Sequence, residues 1–545
     1  MSVLRRLAPF ADSRPRLFLT LVCLVMWLPG FFALPPTDRD ESRFAQATKQ
    51  MLETGDFVRI MNGTVPRNRK PIGIYWLQTP FAAAARATGL ATGNPIWPYR
   101  LPSLLGGIAA VLATHALALI LFANRRAALL AGGMLAGCVL LTVEAHIAKT
   151  DAALLGATTL AMAVLARAWS GQPMTRAAAA LFWLALGVGV LLKGPITPMV
   201  VGLTALTLVL TAQRVAWLAP LRPATGIPLL LLVTAPWFIA IGLATHGEFF
   251  RDAVGTDLGR KLAGGEESHG GPPGLHLLLL PLLVFPATLP VLAGLADAWR
   301  RRAEPATQFL LAWLIPSWLV FEAVPTKLPH YTLPLYPALI LLGTAWLCRP
   351  RAAAAAPWLA YIPLGLAACV LGAGAVALPL TVHGPVWLGV APVLGAGAAL
   401  VLAWRQRIAA SLVAAAALYA LTLQVEIPSL TNLWIAPRAV AALRANWPGF
   451  NPQGEGLITA GYAEPSLVFL GGTKTILLAR GDGGAQVLAA TPNGAALVER
   501  HVLPAFEAEA ARLHLVVSPA AVISGYNYAH DRAVQLTLFV HGTKK

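Results

Sequence analysis

Long apolar runs decide what this chain can become. A helix needs roughly 20 mostly apolar residues to cross the hydrocarbon layer of a bilayer. Runs of about that length lie near 17–34, 100–122, 126–143, 150–168, 177–193, 195–211, 226–244, 275–296, 308–322, 332–347, 358–378, 386–404 and 408–426. The expectation is a polytopic α-helical membrane protein with about thirteen transmembrane helices. Composition agrees, with 57% hydrophobic and only 12% charged residues, where soluble domains carry about 25% charged. The segment 71–88 is apolar but holds Pro80 and Arg86, so it is assigned to the membrane surface or to a partly buried helix. No small-residue cleavage site closes the first run, which reads as an uncleaved span.

The net charge of +17 could suggest a nucleic-acid partner. None is expected, because the arginines stand mostly in short loops between apolar runs, where they report orientation. With the N-terminus inside, Arg5, Arg6, Arg125, Arg126, Arg300, Arg301 and Arg302 are among the residues on the cytoplasmic side. The short outer loops hold only Lys149, Lys193 and Lys327. Two long segments, 35–99 and 245–274, then fall outside, and so does the C-terminal tail. Residues 432–545 differ in character from the membrane domain, 1–431. The runs GLITAG, KTILLA, RLHLVVS and VQLTLFVHG read as strands, and AEPSLVFLGG and LPAFEAEAARL as helices. A small, soluble periplasmic α/β domain is expected there. The four cysteines, Cys23, Cys138, Cys348 and Cys369, all lie in apolar runs, where they read as small hydrophobes without a disulfide framework or zinc spacing.

Polar groups concentrate on the outer side. In RDESRFAQATKQMLETGDF, Asp40 and Glu41 open a helix, where its dipole favours negative charge. Phe44, Met51 and Leu52 share a face, so the segment is either an amphipathic surface helix or the carrier of a general base at the membrane interface. In VPRNRKPIGIYWLQ, Arg67, Arg69 and Lys70 precede Tyr75 and Trp76, which fits an aromatic belt with snorkelling cations or a phosphate clamp at headgroup depth. EAHIAKTDAALL gathers Glu144, His146, Lys149 and Asp151 in one turn; Asp151 is either a helix cap or part of a polar cavity. Lys193 precedes a helix-breaking Gly-Pro pair. Arg260, Lys261 and His269 lie in a glycine-rich outer loop that reads as a lid over a site or as a solvent loop. Lys327, His330 and Tyr331 sit among four prolines that forbid a regular helix and would fix a rigid polar loop.

Taken together and in this order, RDESRFAQATKQMLETGDF, RKPIGIYW and TKLPHYTLPLYPAL resemble the bacterial aminoarabinose transferases of lipid A modification and the related protein O-mannosyltransferases. The resemblance implies the membrane-embedded GT-C glycosyltransferase fold. The family's Asp-Glu-x-Arg opening is matched by Asp40, Glu41 and Arg43, and its Lys-Leu-Pro-x-Tyr loop by Lys327, Leu328, Pro329 and Tyr331. Its Glu-Lys-Pro stretch is matched by Lys70 and Pro71, with Arg69 standing where the family has Glu. The reaction class therefore carries over and the sugar does not.

The expected reaction is transfer of a sugar from a polyprenyl-phosphate donor, such as an undecaprenyl phosphate sugar, to a periplasmic acceptor: lipid A, another glycan or a protein. The enzyme would sit in the bacterial inner membrane with its site facing the periplasm. Asp40 is assigned as base, with Glu41 beside it and Asp151 orienting a cation or a sugar hydroxyl. Arg43 and Lys70 are the leading cations for the leaving phosphate, followed by Lys193, Lys327 and Tyr331. Arg69, Tyr75, Arg260, Lys261, His269 and His330 complete the expected binding set. The sequence requires no cofactor and leaves a divalent metal open. Two other classes compete: a transporter or flippase of polyprenyl-linked sugars, and a non-catalytic scaffold whose C-terminal domain binds cell-wall glycan.

Overall fold

The structure, a computed structural model, describes residues 9–90, 93–259, 270–350, 358–447 and 449–541. Most of it is a helical bundle. Among the described residues, eight helices are long and apolar enough to cross a membrane, or nine if the bent pair Arg125–Ala136 and Val139–Ala145 is one span. Pro15–Trp27 and Ile196–Ala212 are shorter apolar helices. The run at 275–296 is split into Leu275–Leu283 and Thr288–Arg300, and the run at 332–347 begins with the 3-10 turns Pro329–Leu335 before the helix Tyr336–Leu347. Proline-rich stretches separate the pieces in both cases, because proline lacks the amide that a continuous helix needs. Cys23 and Cys138 are buried, whereas Cys348 and Cys369 are exposed on the outward faces of their segments.

The central helix is Asp151–Trp169, whose most apolar stretch is 83% buried. Its sequence is rich in Ala, Gly and Thr, and small side chains let neighbouring backbones come close, the usual basis of helix association in membranes. The closest approach is to Trp97–Phe122. A Cβ on Gly106 would meet the Cα of Ala153 at 2.4 Å, and one on Gly156 would meet the Gly106 carbonyl oxygen at 2.7 Å. This contact sets the height of Asp151, the first residue of the central helix, against the rest of the outer face.

The outer segment 35–99 folds onto the end of the bundle. Asp40–Thr54, here called the acidic helix, is followed by a short antiparallel hairpin, β1 (Met61–Asn62) and β2 (Val65–Pro66), and by the helix Gly73–Ala87. The acidic helix is not a surface helix. Phe44, Ala47 and Met51 pack on Ile72 and Tyr75 of the same segment and on Leu154 and Leu191 of the bundle. Ala45 and the partly buried Leu52 turn another way, toward Tyr99 and Phe469. Phe44 and Leu52 therefore belong to different contacts, because the helix is enclosed on two sides. Segment 71–88 is the partly buried helix of the two alternatives.

The C-terminal part carries a five-stranded sheet in the order β4-β3-β5-β7-β6. Strands β3 (Leu457–Ala460), β4 (Ile476–Leu478) and β5 (Ala495–Glu499) are parallel, while β6 (Val517–Asn527) and β7 (Arg532–His541) form an antiparallel hairpin. The helices Pro465–Gly471 and Leu503–Arg512 lie where AEPSLVFLGG and LPAFEAEAARL place them. Three elements have no counterpart in the sequence reading: the helix Ile435–Asn446, the helix Gly481–Ala489 and β5. Strand β6 starts at Val517, near the end of the run RLHLVVS, because its register is set by pairing with β7.

A paired substitution tests the close helix contact. Gly106→Ala must displace the backbone at Ala153 and is expected to lower the melting temperature of the detergent-solubilised protein by several degrees. Gly202→Ala, on a helix where an added Cβ meets nothing within 4 Å, should leave the melting temperature unchanged or raise it slightly.

Candidate active site

Four segments converge where the outer loop meets the bundle: the acidic helix, the stretch after the hairpin, the turn before the central helix, and the proline-rich loop. Glu41 ties two of them, the acidic helix and the turn before the central helix, to the long span Trp97–Phe122. Its side chain has no solvent exposure, and that of Arg100, on that span, has 1%. Arg100 Nε donates to Glu41 Oε1 at 2.8 Å and its Nη2 to Oε2 at 3.0 Å. The same guanidinium donates to the carbonyls of Phe31, Leu34 and Pro35 at 2.9–3.0 Å. Glu41 also accepts from the Thr37 amide and hydroxyl and from the Ala148 amide. Burial works against the charge on Glu41, but Arg100 and these donors hold its pKa below the ordinary range. A carboxylate with both oxygens fully engaged does not act as a base, so the expectation of a catalytic Glu41 is replaced by a structural one. Arg100 lies outside the motifs of the outer segments, although an arginine at the start of an apolar run is itself a signal.

Asp40, one residue earlier, points the other way. Its side chain is 57% exposed and lies 3.5 Å from Arg67 Nη2. Arg67 is itself placed over the Phe44 ring, 4.9 Å from its centroid, and Phe44 packs on Tyr75 with ring centroids 5.5 Å apart. The surrounding protein disfavours ionisation of Asp40, but Arg67, Lys149, Lys70 and Arg43 outweigh it and hold the pKa below the usual aspartate value. Asp40 is thus ionised, reachable from solvent and surrounded by cations. Tyr75 is fully buried and does not line the cavity described next, so its part is to support Phe44 and Arg67.

The turn before the central helix carries a compact charge network. Lys149 Nζ lies 2.9 Å from Glu144 Oε1 and 3.6 Å from Asp151 Oδ2. Asp151 Oδ1 pairs closely with Lys193. Lys149 also approaches His330 Nδ1 at 3.3 Å, which leaves the proton of a neutral imidazole on Nε2, 3.9 Å from Asp151. Ser103 supports the turn by donating to the carbonyls of Ile147 and Lys149. Asp151 is buried and engaged by two lysines. Gly194, with φ +61°, makes the sharp turn after Lys193 that lets its ammonium reach back to Asp151.

Next to this network opens a cavity of about 610 Å³. Arg69, Lys70, Lys193, His330 and Tyr331 line its polar end, and Phe238, Phe249, Phe250 and Phe321 are among the apolar residues of its walls. Lys193 Nζ sits 5.1 Å from the Tyr331 ring centroid. No described carboxylate lines the cavity. Lys70 connects the two halves of the site, since it lines the cavity and lies close enough to Asp40 to stabilise its charge.

Lys327 departs from expectation. Its ammonium donates to the carbonyls of Glu322 and Val324 at 2.7 Å and has 1% side-chain exposure, so it closes the end of the helix Pro305–Ala323 and does not face the cavity. A lysine suits that place because the last carbonyls of a helix lack partners. Arg260, Lys261 and His269 lie outside the described residues. Among the described residues, no three His, Cys, Asp or Glu side chains are grouped to hold a metal ion.

The buried pair gives a direct stability test. Glu41→Gln leaves Arg100 charged and under-compensated inside the protein, a change that costs about 3–5 kcal/mol in comparable buried pairs. The expected result is a large drop in thermal midpoint, much greater than for Asp40→Asn.

Comparisons with known proteins bear on the fold. Residues 16–246 match the family described as dolichyl-phosphate-mannose-protein mannosyltransferase. The undecaprenyl phosphate-alpha-4-amino-4-deoxy-L-arabinose arabinosyl transferase of Pseudomonas paraeruginosa is 29% identical over 337 residues, covering 59% of this chain and 59% of that protein. Its counterpart in Pectobacterium atrosepticum is 26% identical over 357 residues, covering 62% of this chain and 61% of that protein. The match to these relatives thus spans about three fifths of their length. Among solved structures, ArnT from Cupriavidus metallidurans bound to undecaprenyl phosphate superposes with a TM-score of 0.74 at 20% identity, covering 97% of this chain and 98% of that one. The oligosaccharyltransferase of Archaeoglobus fulgidus in the apo form gives 0.53 at 12% identity, covering 92% of this chain and 69% of that one. The chain is therefore a multi-pass membrane protein with the GT-C fold, and the resemblance read from its motifs, to the aminoarabinose transferases and protein mannosyltransferases, is confirmed.

Proposed function

We propose that this protein is a glycosyltransferase of the bacterial inner membrane that moves a sugar from a polyprenyl-phosphate donor to an acceptor hydroxyl at the periplasmic face. One observation carries the reading: an apolar cavity is lined at its polar end by Arg69, Lys70, Lys193 and His330, and Lys70 also lies close enough to Asp40 to help hold it ionised. An isoprenoid chain fits the apolar walls, and its phosphate fits the cationic end. Named relatives are transferases, and the ArnT structure has undecaprenyl phosphate bound; both favour transfer over transport.

The reaction needs few groups. The acceptor oxygen attacks the anomeric carbon while the carbon–oxygen bond to phosphate breaks, and the leaving lipid phosphate keeps the electron pair. Lys70, Arg69 and Lys193 offset its growing negative charge. The hydroxyl becomes acidic only as its bond to carbon forms, so Asp40, although a weak base, accepts the proton late. A single displacement inverts the anomeric centre. The cluster of Glu144, Lys149, Asp151 and His330 keeps the cations in place.

Two measurements test this. In liposomes containing radiolabelled undecaprenyl-phosphate sugars and a lipid A acceptor, Asp40→Asn should lower transfer about 100-fold or more, the range of general-base loss. Undiminished transfer by this variant would refute the assignment of the base. The pH dependence is specific as well. A depressed pKa keeps Asp40 competent until the pH falls through that low value, so the acid limb of kcat/KM should lie below the ordinary aspartate range. Arg67→Gln removes the largest cationic influence on Asp40, and the limb should move to higher pH.

A further inference from the structure

The C-terminal domain reaches the acidic helix at both its start and its outer face. At the start, the Asp38 amide donates to Tyr528 Oη at 2.6 Å, and Asp38 Oδ1 accepts from the Ser466 amide at 3.1 Å. The Arg39 guanidinium donates to the carbonyl of Ala529. Farther along, Gln46 Nε2 donates to Thr473 Oγ1 at 2.8 Å, Lys49 Nζ to the Phe469 carbonyl at 3.1 Å, and Thr473 Oγ1 to Glu53 at 2.7 Å. Gln46, Lys49 and Glu53 share one helix face by their spacing of three and four. Phe469 is fully buried and meets Tyr99 edge-on, with ring centroids 5.4 Å apart.

Between these contacts the backbone is strained. Arg39 has φ 63° and ψ −110°, a conformation that residues with a Cβ adopt rarely and glycine adopts readily. The surroundings explain how it persists. Asp38 and Arg39 are tied to the C-terminal domain, while Glu41 is tied to Arg100 of the bundle. Asp40 is the residue between the two anchorages.

We propose that the C-terminal domain is a positioning element of the active site, with Tyr528 and Asp38 fixing the backbone at Arg39 so that Asp40 is aimed at the reacting centre. The proposal rests on the reading of Asp40 as the base. It assigns to Tyr528 a role in transfer although its chemistry is remote from the donor: the hydroxyl acts through the Asp38 amide and touches no substrate. In the positioned state, acceptor and base are held in line; without the Tyr528 hydroxyl the segment relaxes at Arg39 and Asp40 spends most of its time elsewhere.

The test uses the full-length protein in liposomes, with Tyr528→Phe, Arg39→Gly and the double variant. Tyr528→Phe should lower kcat about tenfold, in line with the sensitivity of catalysis to small misplacements, while KM for the polyprenyl-phosphate sugar and the melting temperature stay unchanged. Arg39→Gly relieves the strained backbone and also removes the guanidinium's bond to Ala529; with the strain gone, adding Tyr528→Phe to it should cost at most about a further two- to threefold. Independently of activity, hydrogen exchange of the amides at 38–43 should accelerate in Tyr528→Phe. Unchanged exchange there would overturn the proposal whatever the protein's activity. Faster exchange with full kcat, in a preparation whose Asp40→Asn variant is inactive, would overturn it too, because the segment would then move without consequence for the base. If Asp40→Asn remains active, the base assignment fails and the positioning role falls with it, even if exchange shows that the tether exists.

Discussion

A carboxylate and a guanidinium, Glu41 and Arg100, are taken out of water together, and the outer face is arranged around them. Desolvating two charges is costly, and the pair is tolerable only because nearly every lone pair and proton finds a partner. Those partners come from separate parts of the chain: the linker after the first span, the start of the acidic helix, the long span and the turn at Ala148. One interaction therefore sets the distance between Asp40 on one segment and Lys149 on another. The arrangement converts a strong local demand, full satisfaction of buried charge, into long-range geometry.

The same logic separates two kinds of charge at the site. Glu144 and Asp151 are matched by Lys149 and Lys193, and His330 is held neutral by its burial among them. That network is balanced internally and rigid. The cavity has Arg69, Lys70 and Lys193 in its lining and no described carboxylate, which makes its polar end attractive to an anion. Asp40 stands outside the cavity lining, within reach of the field of Lys70.

The spans and the polar outer face were legible in the sequence because hydrophobic length and charge density are local properties. Asp40, Lys70, Lys193, His330 and Tyr331 stood out for that reason. Glu41, Tyr75 and Lys327 had equally suggestive neighbours, but sequence cannot tell whether a polar side chain turns to a cavity or to the protein interior. Lys327 shows this well: a lysine near the end of a span looks the same whether it meets a phosphate or the last carbonyls of a helix. Arg100 was hidden by its apolar neighbours and is understood only once Glu41 is seen opposite it. In the C-terminal domain, the short β5 and the helix Ile435–Asn446 owe their form to packing against the rest of the sheet, so their local pattern was weak.

The hydrogen bond between Asp38 and Tyr528 joins residues 490 positions apart. During synthesis, the first of these emerges long before the second, and a nascent chain inserted span by span carries the acidic helix with one side uncovered. That side can be closed only after Phe469 and Thr473 have left the ribosome, and the start of the helix only after Tyr528 has followed. Completion of the outer face is therefore among the last events of biogenesis, and a ribosome stalled late in the message leaves a fully inserted bundle whose acidic helix still lacks its cover.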